Sequence, residues 1–284
     1  VADTEIAWRG VTLGGSGDFR VLKVTGWDDQ PPVTDYSQER TRGHGDHVGE
    51  LFARARTVTV TGEIVDTVNR DTLARRLQAV STVDSVLRDL TVTMFGLTLT
   101  AQARVVARAL DLTALYDVGN VPFSLQWRCP DPLRYGAAVN PSTPLPLAGG
   151  GLAYPLAYPL PYGDPGITGR IPLTNPGTAP ATLLLDIRGG LPEGWLVSAA
   201  GQALAYPVAV PSGQTIEVDT GAGTVLVEGT ASRRGNLTRA DWLTVPAADP
   251  ETGQPGQLEL QFASLGGARD PNAQLSALMR PAYW

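Results

Sequence analysis

A proline corner near the middle of the chain limits the folds open to it. Val121-Pro-Phe-Ser-Leu-Gln-Trp-Arg-Cys129 alternates apolar and polar residues as a half-buried strand does, and it stops at Pro130-Asp131-Pro132. Proline fixes φ and has no N–H to give to a ladder, so no sheet runs through two prolines in three residues. Beyond Leu133-Arg134-Tyr135, residues 136–170 are dominated by Pro, Gly, Tyr and Leu, and strand-like runs resume near Ile171. This reading divides the chain into a first domain over 1–138, a Pro/Gly/Tyr-rich connecting arm over 139–168 and a second domain over 169–284. Each domain is long enough to bury its own core.

Composition sets the class. Gly (32) and Pro (23) are frequent while charged residues make up 18% of the chain, below the ~25% of an average soluble protein. That pattern predicts turn-rich, mainly β structure. The formal net charge is −6, with 15 basic and 17 acidic residues in 1–140 and 7 and 11 in 141–284, so neither half has the basic balance of a duplex-DNA binder. Every basic residue except Lys23 is arginine, which suits a GC-rich genome and also supplies planar forks for interfaces. Cys129 is the single cysteine, which excludes an intrachain disulfide and fits a reducing compartment. At the end of a strand it reads as a small buried hydrophobe. No apolar run reaches the ~18 residues of a membrane span, and the polar start, Val-Ala-Asp-Thr-Glu, does not read as a signal peptide.

Along the first domain, 19–27 reads as a strand ending at Gly26, and 28–50 as a long polar loop. Loops of that length in compact domains usually serve a function. Residues 56–66 alternate Val and Thr at period two and form the clearest strand. One helix is predicted over about 70–88. Leu73, Leu77 and Val80 set its face, Val83, Val86, Leu87 and Leu90 repeat the spacing, and Ser81-Thr82 breaks or bends it. A hairpin pivots on Gly96, and strands follow at 102–112 and 120–128. Tyr154-Pro-Leu and Tyr158-Pro-Leu in the connecting arm favour extended backbone, so the arm reads as a short ordered segment or an edge strand of the second domain. From Gly169 on, about ten short strands or turns at ~8–12-residue spacing predict a β-sandwich. Tyr283 and Trp284 are expected to dock on that sandwich or on the segment 154–162.

Few residues suggest chemistry. The 28–50 loop gathers Asp35, Glu39, Arg40, Arg42, His44 and His47, a set suited to charge-assisted contacts between subunits. His44-Gly-Asp-His47 supplies two or three metal donors and no obvious fourth, so no metal and no cofactor are expected. Both histidines lie in this one loop and no Gly-x-Ser-x-Gly elbow is present, which argues against serine hydrolase chemistry. Glu193, Glu217 and Glu228 do not single out a catalytic carboxylate pair, and no enzymatic activity is expected. Trp195 and Trp242 could offer stacking faces for a sugar, although a place in the buried core is the favoured reading of both.

The landmarks occur in a familiar order. They are Asp35-Tyr-Ser-Gln-Glu-Arg40, Arg42-Gly-His-Gly45, Gly49, the strand 56–64, the helix, Leu90-Thr-Val-Thr-Met-Phe-Gly96, Gly119 with Phe123, and Cys129-Pro-Asp-Pro132 with Tyr135. Leu173-Thr-Asn-Pro-Gly-Thr-Ala-Pro180, Ser212-Gly-Gln214, Trp242 and Pro281-Ala-Tyr-Trp284 follow. In this ordered combination the chain resembles the distal tail proteins of long-tailed, non-contractile bacteriophages over nearly its whole length. The resemblance implies a virion structural protein at the tail tip, assembled in the cytoplasm of a bacterial host. It implies a homohexameric ring with the tail-tube protein above and a baseplate hub or tail-associated protein below. It also implies support for host attachment, and passage of DNA through the channel without specific binding. The first domain would form the ring and a galectin-like sandwich would lie outside it. Galectins that bind galactosides use a His, Asn, Arg, Trp and Glu set, and 171–284 contain no histidine. The alternative reading is a carbohydrate-binding module or glycan hydrolase with a β-sandwich.

Overall fold

A computed structural model describes residues 4–66, 68–111, 120–147, 166–266 and 270–284 of the chain. Two compact units emerge, one made of Val1–Gly136 with Tyr283–Trp284, the other of Ala137–Ala282. Both are β-rich, and Arg70–Val80 is the one α-helix among the described residues.

In the first unit the strands run in the order Val11–Gly14, Glu5–Trp8, Arg88–Met94, Leu97–Leu110, Val121–Cys129, Arg56–Ile64 and Phe19–Thr25. The registers along this path are antiparallel. Leu97–Leu110 serves two neighbours in turn. Residues 97–103 pair with Arg88–Met94, and residues 104–110 pair with Val121–Cys129 beyond a bulge between Val105 and Ala107. A bulge bends and twists a strand, which lets one long strand turn a sheet around a core. The period-two pattern of Arg56–Ile64 is realised residue by residue, with positions 56, 58, 60, 62 and 64 buried. At Gly62 a Cβ would stand 2.3 Å from the Arg20 carbonyl oxygen and 2.6 Å from the Phe123 ring, so only glycine lets these strands approach. Trp8 meets Trp127 edge-on with centroids 5.9 Å apart, and Phe19 meets Phe123 at 6.1 Å.

The helix stops eight residues before the predicted end. Ser81 closes it: its Oγ–H donates to the Leu77 carbonyl at 2.5 Å, and its N–H donates to the same oxygen at 3.2 Å. Trp8 Nε1–H donates to the Val80 carbonyl at 2.8 Å, and Arg108 donates to the Gln78 carbonyl at 2.9 Å. These donors satisfy carbonyls that a continuing helix would have used. Val83, Val86 and Leu87, whose spacing mimicked a second helical stretch, are exposed.

The second unit holds two antiparallel sheets. One runs Ser142–Pro144, Gln274–Met279, Ala181–Arg188, Thr215–Asp219, Thr224–Val227 and Ala231–Ser232, with Thr244–Val245 also on Ala181–Arg188. The other runs Arg170–Asn175, Gly256–Ser264, Trp195–Ala199, Gln202–Tyr206 and Arg239–Ala240. Their long strands bury every second residue, as two facing sheets do. Asn175 of the Asn-Pro-Gly turn is fully buried. Its Nδ2–H donates to the carbonyls of Ala179 at 2.8 Å and Pro246 at 3.0 Å, and its Oδ1 accepts from Gly177 N–H at 2.9 Å. A turn motif of low information in the sequence is thus a buried polar staple.

Residues 142–144 of the connecting arm form an edge strand of the second unit, and the Tyr-Pro-Leu repeats lie outside the described residues. The end of the chain docks elsewhere than expected, because Tyr283 packs on the core of the first unit.

Alternation in Val121–Cys129 yields a stability contrast. Trp127, fully buried, should cost about 3–5 kcal/mol on Trp127→Ala, whereas the neighbouring Gln126→Ala on the opposite face should cost under about 1 kcal/mol. Urea unfolding of the two variants measures the difference.

Candidate functional site

The 28–50 segment contains an antiparallel ribbon where a loop was expected. Val33–Asp35 pairs with Leu51–Ala53, and Gln38–Glu39 pairs with Asp46–His47. Between the two ladders Tyr36 N–H donates to the Glu50 carbonyl at 3.2 Å and Gly49 N–H donates to Ser37 Oγ at 3.0 Å. A Cβ at Gly49 would lie 2.2 Å from the Tyr36 backbone, so the strands can close there only on glycine. Arg40 N–H donates to the Gly45 carbonyl at 3.2 Å and closes the tip, where Gly43 and Gly45 adopt φ of 101° and 87°.

The structure brings the six predicted contact residues onto this one ribbon and leaves all six exposed. Glu39 faces Asp46, and His47 faces Gln38, across the ladder. Asp35 Oδ1 accepts from Ser37 N–H at 2.8 Å; hydrogen bonding with the Ser37 side chain, and after it with the Ser37 N–H, holds the carboxyl below the ordinary value. No three His, Cys, Asp or Glu side chains gather into a metal-sized group among the described residues. The apolar residues of the ribbon were not anticipated. Val33, Tyr36, Val48, Leu51 and Phe52 are all exposed; the register puts Val33 and Leu51 on one face beside Asp35, and Tyr36 and Phe52, which meet edge-on at 5.9 Å, on the other. Solvent on both faces of a two-stranded ribbon removes the burial that normally stabilises it.

A buried arginine fixes the root of the ribbon. Arg56, 1% exposed, donates through Nε to the Pro132 carbonyl at 2.9 Å. Through Nη1 it reaches the carbonyls of Gly26 at 2.9 Å, Trp27 at 2.7 Å and Asp29 at 2.6 Å. Burial and the nearby Arg134 hold its guanidinium below the ordinary value. Gly26, at φ 79°, lies where a Cβ would fall 1.9 Å from the Thr57 carbonyl oxygen. Arg134 continues the network. It pairs with Asp28 at 2.5 Å, donates to the Trp284 carbonyl and stands 5.7 Å from the Trp27 ring centroid. One set of bonds therefore ties both roots of the ribbon to the proline corner and to the last residues of the chain. Sequence reasoning missed Arg56, although its parity with Val58 and Val60 pointed it inward.

Burial removes one of the two sugar-stacking candidates. Trp195 is fully buried and stacks on Tyr206 at 5.6 Å and 12°, so it offers no face to a ligand. Trp242 is half-buried, with the Arg234 guanidinium 5.4 Å from its centroid and Gly223 close against its ring. An open cleft of about 740 Å³ in the second unit is lined by Arg188, Ser212, Thr215, Asn272 and Gln274 among others, with no aromatic residue. Glu228, one of the carboxylates considered for catalysis, accepts from Thr215 N–H at 2.7 Å.

Two measurements test the root. Arg56→Met should lower stability in urea by about 3 kcal/mol, because four carbonyls lose a buried charged donor, and Arg56→Lys should lower it by less. Burial raises the Cys129 thiol from 9.0 to about 11. A raised folded-state value gives stability that is complete below pH 9 and lost between pH 9 and 11. Cys129→Ala should flatten that part of the melting-temperature profile, and Cys129 should resist alkylation at neutral pH until the chain is unfolded.

Comparison with known proteins bears on what this arrangement is. No protein-family profile matches the sequence, and no curated protein matches it. Among solved structures, the chain matches the Dit protein of phage SPP1, described as a paradigm of the hub adsorption apparatus in phages infecting Gram-positive bacteria. That match has 13% identity, covers 99% of both chains and has a TM-score of 0.65. Structures of the phage p2 baseplate in its activated conformation, with Ca and with Sr, match at 10% identity over 98% of each chain, with TM-scores of 0.47 and 0.45. Across both of its units, in the order in which they occur, this chain has the fold of SPP1 Dit.

Proposed function

We propose that this chain is a distal tail protein of a bacteriophage, a structural ring subunit that joins the tail tube to the tail tip or baseplate. The observation that carries the reading is a fold shared with SPP1 Dit over 99% of both chains, reached from a sequence whose landmarks already suggested that family. The protein acts through surfaces. Its exposed ribbon, with mixed polar and charged residues at the tip and exposed apolar residues on both faces below, is suited to contacts between copies of itself. Asp35, Glu39, Arg40, Arg42, His44 and His47 form the charged part of that contact. Copies arranged as a homohexamer meet the tail-tube protein above and the baseplate hub below. A chain of net charge −6 suits a channel through which DNA passes without being held. The second unit supports host attachment and carries no catalytic role.

Two experiments test the proposal. Antibody-gold against the chain should label phage particles at the tail tip; label on the capsid, or none on intact particles, would contradict it. Arg42→Ala combined with Asp35→Ala should reduce tail assembly while leaving the melting temperature within a few degrees of wild type, since both side chains are exposed. Normal assembly of that variant would remove the ribbon from the interface.

A further inference from the structure

Four non-glycine residues with positive φ stand immediately before a glycine in tight turns: Arg9, Phe95, Ala200 and Glu228. Such backbone disfavours bulky L-residues, and asparagine or glycine is the usual occupant. Three of the four side chains account for their place. Arg9 donates to the Val80 carbonyl at 3.4 Å and to Thr82 Oγ1 at 3.3 Å. Glu228 receives the Thr215 N–H, and Ala200 has the smallest side chain a non-glycine residue can carry. Phe95 has no such compensation. At φ 52° it heads the hairpin of Arg88–Met94 and Leu97–Leu110 with 91% of its surface exposed, and no aromatic ring contact in the described chain involves it. Leu97 beside it is 45% exposed, and the tip sequence Met94-Phe-Gly-Leu97 carries no charge. Two Thr–Thr hydrogen bonds, Thr93 to Thr98 at 2.8 Å and Thr91 to Thr100 at 3.1 Å, brace the hairpin behind it. A strained, exposed aromatic on a braced hairpin is built to be covered.

We propose that Phe95 is an interface anchor that seats on the Tyr36–Phe52 side of the ribbon of a second copy of this chain. The inference rests on the ring reading above and assigns it a contact. A ring needs a heterologous interface, in which two different patches of one chain meet their counterparts on successive neighbours. The first unit carries two such patches with aromatic residues, the Phe95 tip and the ribbon. The tip has no charge to offer, so it requires an apolar seat. The edge-to-face pair of Tyr36 and Phe52 leaves both rings more than half exposed, and a third ring extends that geometry. Area points the same way. The exposed parts of Phe95 and Leu97 on the tip and of Tyr36 and Phe52 on that face of the ribbon together fall well below the ~1,000 Å² of a stable two-body interface. One such contact does not hold a dimer. Copies that engage both patches at once, as in a closed ring, are held twice.

The test uses the full chain and reads assembly and folding separately. Phe95→Asn removes the anchor and places at φ 52° a residue that tolerates it. It should weaken assembly at least roughly thirtyfold, by sedimentation across a concentration series, with a melting temperature equal to or above wild type. Phe52→Ser should weaken assembly similarly, and the double variant should be no worse than either single one, because the two side chains share one contact. Rings that persist in Phe95→Asn would overturn the proposal and give the tip to a different protein. Assembly lost only in step with a falling melting temperature would overturn it by making Phe95 a folding residue, and additive losses would overturn it by separating the two sites. A wild-type chain that stays monomeric at every concentration would overturn the ring reading as well.

Discussion

Arg56 puts a charged fork, 1% exposed, at the place where three stretches of the first unit converge. Its acceptors are backbone carbonyls on either side of the fork: 26, 27 and 29 at the entry to the ribbon, and 132 at the proline corner. Nε and Nη1 of this buried guanidinium are used, while Nη2 is buried without a hydrogen-bond partner among the described residues, and the bonds that solvate the group also hold the chain segments together. Arg134 extends this network to Asp28 and to the Trp284 carbonyl. The ribbon has few bonds beyond its own short ladders, so the direction in which it leaves the sheet is set at this root. Whatever the ribbon touches, it is presented by Arg56.

That dependence explains why so little of the chain is chemically active in appearance. The polar groups buried in the two units serve as staples: Arg56 and Arg134 in the first, and Asn175 in the second. Cys129 lies beside Arg56 in the interior, and its raised pKa keeps it a thiol. The two histidines sit on the exposed ribbon. Two exposed apolar surfaces of the first unit, on the ribbon and at the Phe95 tip, belong to hairpins braced from behind.

Burial decided what could be read in advance. Arg56–Ile64 and Val121–Cys129 were legible because each buries one face, so sequence alternates with environment. The ribbon was read as a loop because both of its faces meet solvent and its ladders are only two or three residues long. The helix was read eight residues too long because Val83, Val86 and Leu87 continue its spacing, although nothing covers them and Ser81 has already closed the last turn. For Trp195 a sugar platform was weighed against a core position, and the core position was favoured; its parity with Val197 in Trp195–Ala199 puts it in the core, as the parity of Arg56 with Val58 does. The six polar contact candidates are neighbours in the sequence itself, whereas the aromatic pair beside them was missed, since Tyr36 and Phe52 are sixteen positions apart and meet only once the ribbon closes.

The central claim is that the chain works as a closed ring built from its own surfaces. The mass of the full-length protein in solution tests it most directly, by light scattering across a concentration series. A homohexamer of the 30.0 kDa chain gives a plateau at about 180 kDa with no stable dimer on the way. A mass that stays at 30.0 kDa throughout, or one that grows without a plateau as an open filament would, contradicts the account.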